Sequence, residues 1–353
     1  MQPGHLRQPG QVWLPRPAAT ITTALLLSVI GSTAATAHVK WFCAYDLVGA
    51  PRGLGEVLCS DFEKLVGLSL LALLVGGLLE GTVLGAALIR SLDRTTAWVR
   101  DNTELLFRAV CGGFFVALWT LGGVILTPEL KTTNAAIPWF QLAIAAGFLW
   151  RRTMPFSALG IVVLFGTAIH DYGAFHLADY PVFLGVAAYI ALTGLGRQLP
   201  GGIRPLDVVR YTAAITLMWA SVEKWAYPQW SFPLFVEHPG MTFGFSAEYF
   251  MKAAGAVEFV LAFALVCTPL VRRVSAILLA ATFVSAIFEF GKIDAIGHAP
   301  IIVAMVALAA DNATAPYRLR NLALAPIGYG ASLAGFIGLY YGAHALLQGS
   351  SAL

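Results

Sequence analysis

Apolar segments of about 20 residues recur along the whole chain of 353 residues, and this pattern narrows the folds open to it. A helix of about 20 residues is long enough to cross the ~30 Å hydrocarbon core of a bilayer. The chain is 58% hydrophobic and 12% charged. That charged fraction is about half the value usual for soluble domains. We therefore predict an all-α, polytopic membrane protein whose first partner is the lipid bilayer.

The apolar segments predict about eleven transmembrane helices. They lie at about 18–37, 64–89, 105–127, 136–150, 155–172, 178–195, 206–227, 247–269, 274–290, 298–312 and 324–347. Residues 1–17 form a polar tail before the first helix. Residues 18–104 form a two-helix region with a polar loop at 38–63, and residues 324–347 form a separate C-terminal helix.

Lysine and arginine assign the two sides of the membrane, because cytoplasmic loops are enriched in both. With a cytoplasmic N-terminus, 15 of the 22 cationic side chains fall inside and 7 outside. Every predicted inner loop contains arginine, whereas all the lysines fall outside. The pattern predicts a bacterial inner-membrane protein with a cytoplasmic tail, a periplasmic 38–63 loop and a periplasmic C-terminus. A net charge of +3 gives no reason to expect a nucleic-acid partner.

The first apolar segment has two interpretations. It is either an uncleaved helix, which we favour, or a signal peptide cut after the sequence Ala35-Thr36-Ala37. Cysteine placement leaves a second alternative open. Cys43 and Cys59 share the predicted periplasmic loop, where an oxidising environment would permit a disulfide, but sequence alone does not give their separation.

Two stretches of the chain repeat the same order of features. An arginine opens a helix that carries a tryptophan, Arg108 with Trp119 in one stretch and Arg210 with Trp219 in the other. Two helices later, each stretch has an acidic-aromatic-glycine sequence followed by a fourth helix. We predict two tandem parallel four-helix units. The units cover residues 105–197 and 206–312.

Several ionisable residues fall inside or at the ends of the predicted spans. Glu258 lies about ten residues into one span, Glu223 and Lys224 end another, and Glu289 precedes Lys292 by three residues. Such groups are costly in a bilayer and usually face a bundle interior or a water-filled cavity. The functional interpretation is a polar pocket with Glu223, Lys224, Glu258 and Glu289 as candidate catalytic residues. The alternative is charge compensation at helix ends, with Glu258 a protonated carboxyl that packs helices.

Most histidines also fall on the predicted outer side. His38, His170, His298 and His344 are candidate metal ligands, because imidazole binds copper, zinc and iron. They would have to converge through folding, since no H-E-x-x-H pair is present. Cleavage after Ala37 would place a free amine on His38, which suits copper. Copper or haem is the lesser expectation, and the alternative is that these histidines lie in hydrated loops.

The segment Arg210–Lys224, followed by Pro228, resembles the first helix of the DoxX-like membrane proteins. The segment Gly244–Leu265 resembles their second helix, which carries a glutamate. The resemblance covers about 206–312, with a diverged copy at 105–195. It implies a membrane-embedded redox or quinone-linked role. The first unit lacks a Glu-Lys pair like Glu223–Lys224, so we expect the active site in the second unit or between the units.

We therefore expect a subunit or accessory of a periplasm-facing redox system that uses quinone and has a periplasmic or membrane redox partner. The alternatives are a transporter or metal-handling permease, and a scaffold without a small-molecule site. The chain lacks G-x-x-x-x-G-K-[ST], G-x-G-x-x-G and C-x-x-C-H sequences, which argues against a self-contained ATPase, flavoprotein or c-type cytochrome.

Overall fold

The computed structural model describes residues 39–313 and 324–348. Within these residues the fold is helical without strands, which confirms the all-α prediction, and two isolated β-bridges close loops. The predicted tail at 1–17, the first apolar segment with its cleavage sequence, and His38 lie outside the described residues.

The longer helices are α1 (Ser60–Glu80), α2 (Val83–Thr95), α3 (Thr103–Leu121), α4 (Ala136–Gly147), α5 (Met154–Tyr172), α6 (Pro181–Leu195), α7 (Pro205–Ala226), α8 (Ala247–Ala264), α9 (Pro269–Phe290), α10 (Lys292–Ala310) and α11 (Leu324–Leu347). Short α-helical turns cover Leu54–Val57, Ala97–Asp101, Ala174–Leu177 and Phe232–Glu237. Short 3₁₀ turns cover Val39–Trp41, Arg151–Thr153, Pro200–Gly202, Pro228–Ser231 and Pro239–Thr242.

The helices from α3 to α10 contact one another in chain order, and α10 returns to contact α3. The two predicted four-helix units therefore contain α3–α6 and α7–α10, and they meet both at α6–α7 and at α10–α3. Helix α1 packs on α8, α9 and α11, and α11 also packs on α7. The hydrophobic core runs through both units and includes residues from every longer helix except α2.

Glycine and proline set several helix ends. Gly173 directly follows the last residue of α5, and Gly196 directly follows that of α6. Both glycines have positive φ angles that other residues rarely adopt. Proline begins α7 and α9, where its missing N–H needs no partner. Gly291, with φ of 72°, separates α9 from α10 and lets the chain reverse direction there.

Within residues 39–313 and 324–348, five helical stretches are long and apolar enough to cross a membrane. They are Ser60–Glu80, Thr103–Leu121, Arg151–Tyr172, Pro269–Phe290 and Lys292–Ala310. This set is consistent with a membrane-embedded protein, and the eleven predicted spans exceed it. The predicted span at 64–89 differs from the structure, because the helix stops at Glu80 and a new one starts at Val83. Thr82 causes the break, since its hydroxyl accepts a hydrogen bond from the N–H of Gly85 at 3.1 Å.

Candidate functional site

A pocket is lined by residues of α6, α7, α8, α9 and α10, together with the Val39–Trp41 turn and the segments that follow α3 and precede α6. It encloses about 60 Å³. Aromatic and aliphatic side chains form most of its wall. The charged and imidazole side chains that line it are Asp179, Lys224, Glu258 and His298. A mostly apolar wall with a few convergent polar groups is typical of a small-molecule site.

Lys224 and Glu258 form an ion pair between α7 and α8. The Lys224 Nζ atom lies 2.9 Å from Glu258 Oε2, and each side chain is 15% exposed. The two helices approach closely because Gly255 has no side chain, and a Cβ there would lie 2.3 Å from Trp225 Nε1. The indole N–H of Trp225 donates to the Lys252 carbonyl oxygen at 3.1 Å. The local packing thus holds an acid and a base at the pocket wall.

A second charged group lies directly behind this wall. Lys40 extends from the turn before α1 and pairs with Asp179 and with Glu223, whose Oε2 lies 2.6 Å from Nζ. Burial alone would lower the pKa of Lys40, but the two carboxylates outweigh burial and raise it above its usual value. Tyr340 donates to Glu223 at 3.5 Å. We call Lys40, Asp179 and Glu223 the buried triad.

The buried triad leaves one acceptor unused. Asp179 Oδ1 is buried and has no hydrogen-bond partner among the described residues, although Asp179 lines the pocket. A buried acceptor without a partner is unfavourable unless water or a ligand supplies a donor. An N–H or O–H group of a ligand that reached this buried oxygen would supply the missing donor.

His298 occupies the opposite side of the pocket. Its Nδ1 lies 3.0 Å from Asp294 Oδ2 without forming a hydrogen bond. Its ring packs between Trp41 and Phe283, at centroid distances of 4.5 and 4.9 Å. Gly297 makes room for the Trp41 indole, because a Cβ would lie 2.2 Å from that ring. Aromatic packing thus fixes the imidazole beside an acidic side chain.

A polar branch that we did not predict begins next to Asp179. The Tyr180 hydroxyl donates to Glu129, and His176 Nε2 lies 4.0 Å from the same carboxylate. Burial raises the pKa of Glu129 to about 6 and lowers that of His176 to about 3. His176 is thus neutral near pH 7, so its contact with Glu129 is not an ion pair. An acid between apolar neighbours such as Leu126 and Leu130 was the sequence signal for this branch.

The structure brings together three of the four predicted acid-base residues. Lys224 and Glu258 line the pocket as an ion pair, and Glu223, which does not line it, lies next to Lys224 near the end of α7 and pairs with Lys40. Glu289 lies elsewhere, where it is half-exposed and its Oε1 is 2.5 Å from Nδ1 of His238. The sequence spacing suggested that Glu289 would join the pocket. However, it lies one residue before the end of α9, outside the pocket wall.

The predicted metal ligands are dispersed. His298 is at the pocket, His170 is exposed beside Asp171, and His344 lies 3.0 Å from the carbonyl oxygen of Leu47. The described residues contain no group of three or more His, Cys, Asp or Glu side chains arranged to hold a metal ion. The histidine site proposed for copper or haem is therefore not assembled by this part of the chain, because its members belong to separate local contacts.

Both cysteines of the predicted loop are free thiols in the structure. Cys59 precedes α1, and its Sγ accepts a hydrogen bond from Lys252 Nζ at 3.3 Å. The N–H of Phe62 at the start of α1 lowers the pKa of Cys59, whereas burial raises that of Cys43. The disulfide alternative is therefore not realised here.

Comparison with protein-family models finds no family that matches the chain. Comparisons with curated proteins and with solved structures also find no match.

Proposed function

We propose that the protein is a subunit of a quinone-linked redox system in the bacterial inner membrane, with the pocket facing the periplasm. The distribution of arginine and lysine supports a topology of eleven spans with a cytoplasmic N-terminus and a periplasmic C-terminus. The resemblance of residues 206–312 to DoxX-like proteins supports the redox role. The pocket belongs mainly to α7, α8, α9 and α10, the unit in which that resemblance is strongest.

One observation carries the proposal: the pocket combines an acid-base pair with an unused acceptor. Lys224 Nζ is a hydrogen-bond donor for a carbonyl oxygen, and Asp179 Oδ1 is an acceptor for a hydroxyl hydrogen. A quinone ring presents carbonyl oxygens, and a quinol presents hydroxyl groups. Glu258, paired with Lys224, is positioned to take or return a proton when these groups interconvert.

The volume decides how such a headgroup would be held. An engineered apolar cavity of about 150 Å³ binds benzene, whereas this pocket encloses only about 60 Å³. The pocket therefore accepts the polar edge of the ring, or water, and most of a quinone ring would lie outside it. The aromatic side chains of Trp41 and Phe283 line the same space and can contact a planar ring.

The charge balance favours proton uptake. The buried triad and the Lys224–Glu258 pair together contain three carboxylates and two ammonium groups, a formal charge of −3 + 2 = −1. One additional proton neutralises this group. A site with a net charge of −1 stabilises a proton that a bound quinol headgroup releases. Electrons would have to come from or go to the redox partner.

Binding of a short-chain quinone analogue to the full chain in lipid nanodiscs tests the proposal. We expect Glu258→Gln and Lys224→Met to weaken binding about tenfold or more, the effect of losing a charged hydrogen-bonding partner. Glu289→Gln is the matched control, because this glutamate lies outside the pocket and should leave binding unchanged. Equal affinity of correctly folded Glu258→Gln and wild-type protein would rule the proposal out.

A second candidate function is proton-coupled or cation-coupled transport, which the same excess of carboxylates favours. The predicted parallel repeat is also found in transporters. Purified protein in sealed liposomes separates the two proposals. Quinone-analogue binding without ion or proton flux supports the redox role, and flux that Glu258→Gln abolishes without any quinone binding supports transport.

A further inference from the structure

A second cluster of charged residues lies at the end of α7 opposite the pocket. Arg210 and Arg272 are both fully buried there. Thirteen residues of helix separate Arg210 from Glu223, a distance of about 20 Å by helical rise. The cluster consists of Arg204, Arg210, Arg272, Asp207 and Asp311. None of these residues belongs to the proposed quinone site.

Arg204 forms close hydrogen bonds with both carboxylates of the cluster. Its guanidinium donates to both oxygens of Asp311 at 2.8 Å, and to Asp207 at 2.8 and 3.1 Å. Arg210 approaches Asp207 only to 3.5 Å, and Arg272 approaches the Asp311 carboxylate only to 3.6 Å. The two buried arginines are therefore left without a close carboxylate partner.

Five guanidinium nitrogens in the cluster have no acceptor among the described residues. They are Nε, Nη1 and Nη2 of Arg210, and Nε and Nη1 of Arg272. The Tyr211 ring lies 4.7 Å from Arg210 Cζ, but a ring contact supplies no oxygen for the N–H groups. Arg272 uses only Nη2, which donates to the backbone oxygens of Asp311 at 2.7 Å and Ala313 at 3.1 Å.

The neighbouring Arg273 provides the contrast. It is equally buried, yet it donates to the Ala309 carbonyl oxygen at 2.7 Å, to Asp93 at 2.6 Å and to the Thr96 hydroxyl at 3.0 Å. The fold therefore can supply a buried arginine with several protein acceptors, as it does for Arg273. Arg210 and Arg272 are equally buried, but the residues that the structure describes leave most of their N–H groups without acceptors, which a bound ligand would supply.

We propose that the Arg204–Arg210–Arg272 cluster binds a phosphoryl oxyanion. Three arginines and two aspartates have a formal charge of +3 − 2 = +1, so a phosphate diester group with one negative charge neutralises the cluster. The planar fork of guanidinium N–H groups matches the oxygens of a phosphoryl group. Arg204 and Arg210 lie at the start of α7, and basic residues next to the ends of membrane helices bind anionic lipid headgroups.

Thermal unfolding of the full chain in a neutral detergent tests this site with three additives. These are phosphatidylglycerol, phosphatidylcholine and inorganic phosphate. We expect phosphatidylglycerol to raise the unfolding temperature of the wild-type protein, and Arg210→Gln to remove most of that rise. Arg151→Gln is the matched control. It also removes one positive charge on the predicted cytoplasmic side, but from an exposed arginine outside the cluster. It should keep the full rise.

The additives identify the source of the group. A rise with phosphatidylglycerol alone assigns a lipid headgroup, and a rise with inorganic phosphate as well assigns a free phosphate site. Arg210→Lys keeps the charge without the fork, so it should fold if Arg210→Gln does not, and bind about tenfold more weakly. Equal responses of wild-type, Arg210→Lys and Arg151→Gln proteins, or no response in any of them, would overturn the proposal.

Discussion

Lys224 Nζ lies 2.9 Å from Glu258 Oε2, and this ion pair joins α7 to α8 at the wall of the pocket. With each side chain 15% exposed, removal of one partner leaves the other largely desolvated and unpaired. We expect Lys224→Met to lower the free energy of unfolding by about 2–3 kcal/mol. The double variant Lys224→Met/Glu258→Leu should lose less than the sum of the single variants. A double-mutant cycle in mixed micelles measures this coupling, and additive losses would contradict it.

Glu129 predicts a pH dependence of stability. Burial raises its pKa from 4.5 to about 6, so its favourable contribution is fully present below pH 4.5 and is lost as the pH rises through 6. Glu129→Gln stays neutral throughout. The stability of the variant relative to wild type should therefore increase by about 2 kcal/mol between pH 4 and pH 7. Unfolding curves of both proteins across this range provide the measurement, and a constant difference would mean that Glu129 ionises normally.

Gly297 predicts a steric effect at the pocket. An alanine Cβ would lie 2.2 Å from the Trp41 ring, so Gly297→Ala must displace the indole that packs on His298. We expect a loss of about 1–3 kcal/mol and a shift in tryptophan fluorescence. Gly330→Ala is the control, because no atom lies within 4 Å of the added group. If the two variants behaved alike, the close contact between Trp41 and α10 would be refuted.

Labelling of Cys59 with maleimide tests which side of the membrane the pocket faces. Its thiol is half-buried, and the N–H of Phe62 lowers its pKa, so it should react with maleimide faster than Cys43. A membrane-impermeant maleimide applied to intact cells should label Cys59 if this end is periplasmic. The variant Arg152→Cys places a thiol at the predicted cytoplasmic end of α5, and this thiol should react only after the membrane is opened. Reversed labelling would invert the proposed orientation.

Helix positions followed well from hydropathy, because an apolar run of membrane length has few alternatives to a helix. The predicted segments at 136–150, 155–172 and 324–347 correspond to α4, α5 and α11. The break near Glu80 did not follow, since a single capping threonine interrupts a continuous apolar run there. Hydropathy averages over many residues and therefore does not register one side-chain hydrogen bond.

The site was only partly predictable for a different reason. Glu223, Lys224 and Glu258 stood out because charged groups inside apolar helices are unusual. Lys40 and Glu129 lie in loops, where charged residues are common, and only the tertiary fold buries them. Glu289 was misplaced because sequence separation does not show which side of a helix end faces the pocket. Arg210 was recognised as a helix start, but its missing acceptors became visible only in three dimensions.

Photoaffinity labelling with an azido-quinone determines whether the pocket binds a quinone. The full chain in nanodiscs is labelled, digested and mapped by mass spectrometry. We expect labels on the pocket-lining parts of α7, α8 and α10, near Lys224, Glu258 and His298, and a strong reduction in Glu258→Gln but not in Glu289→Gln. Labels confined to the lateral groove between α3 and α4, or labelling unaffected by excess unmodified quinone, would contradict a quinone site in this pocket.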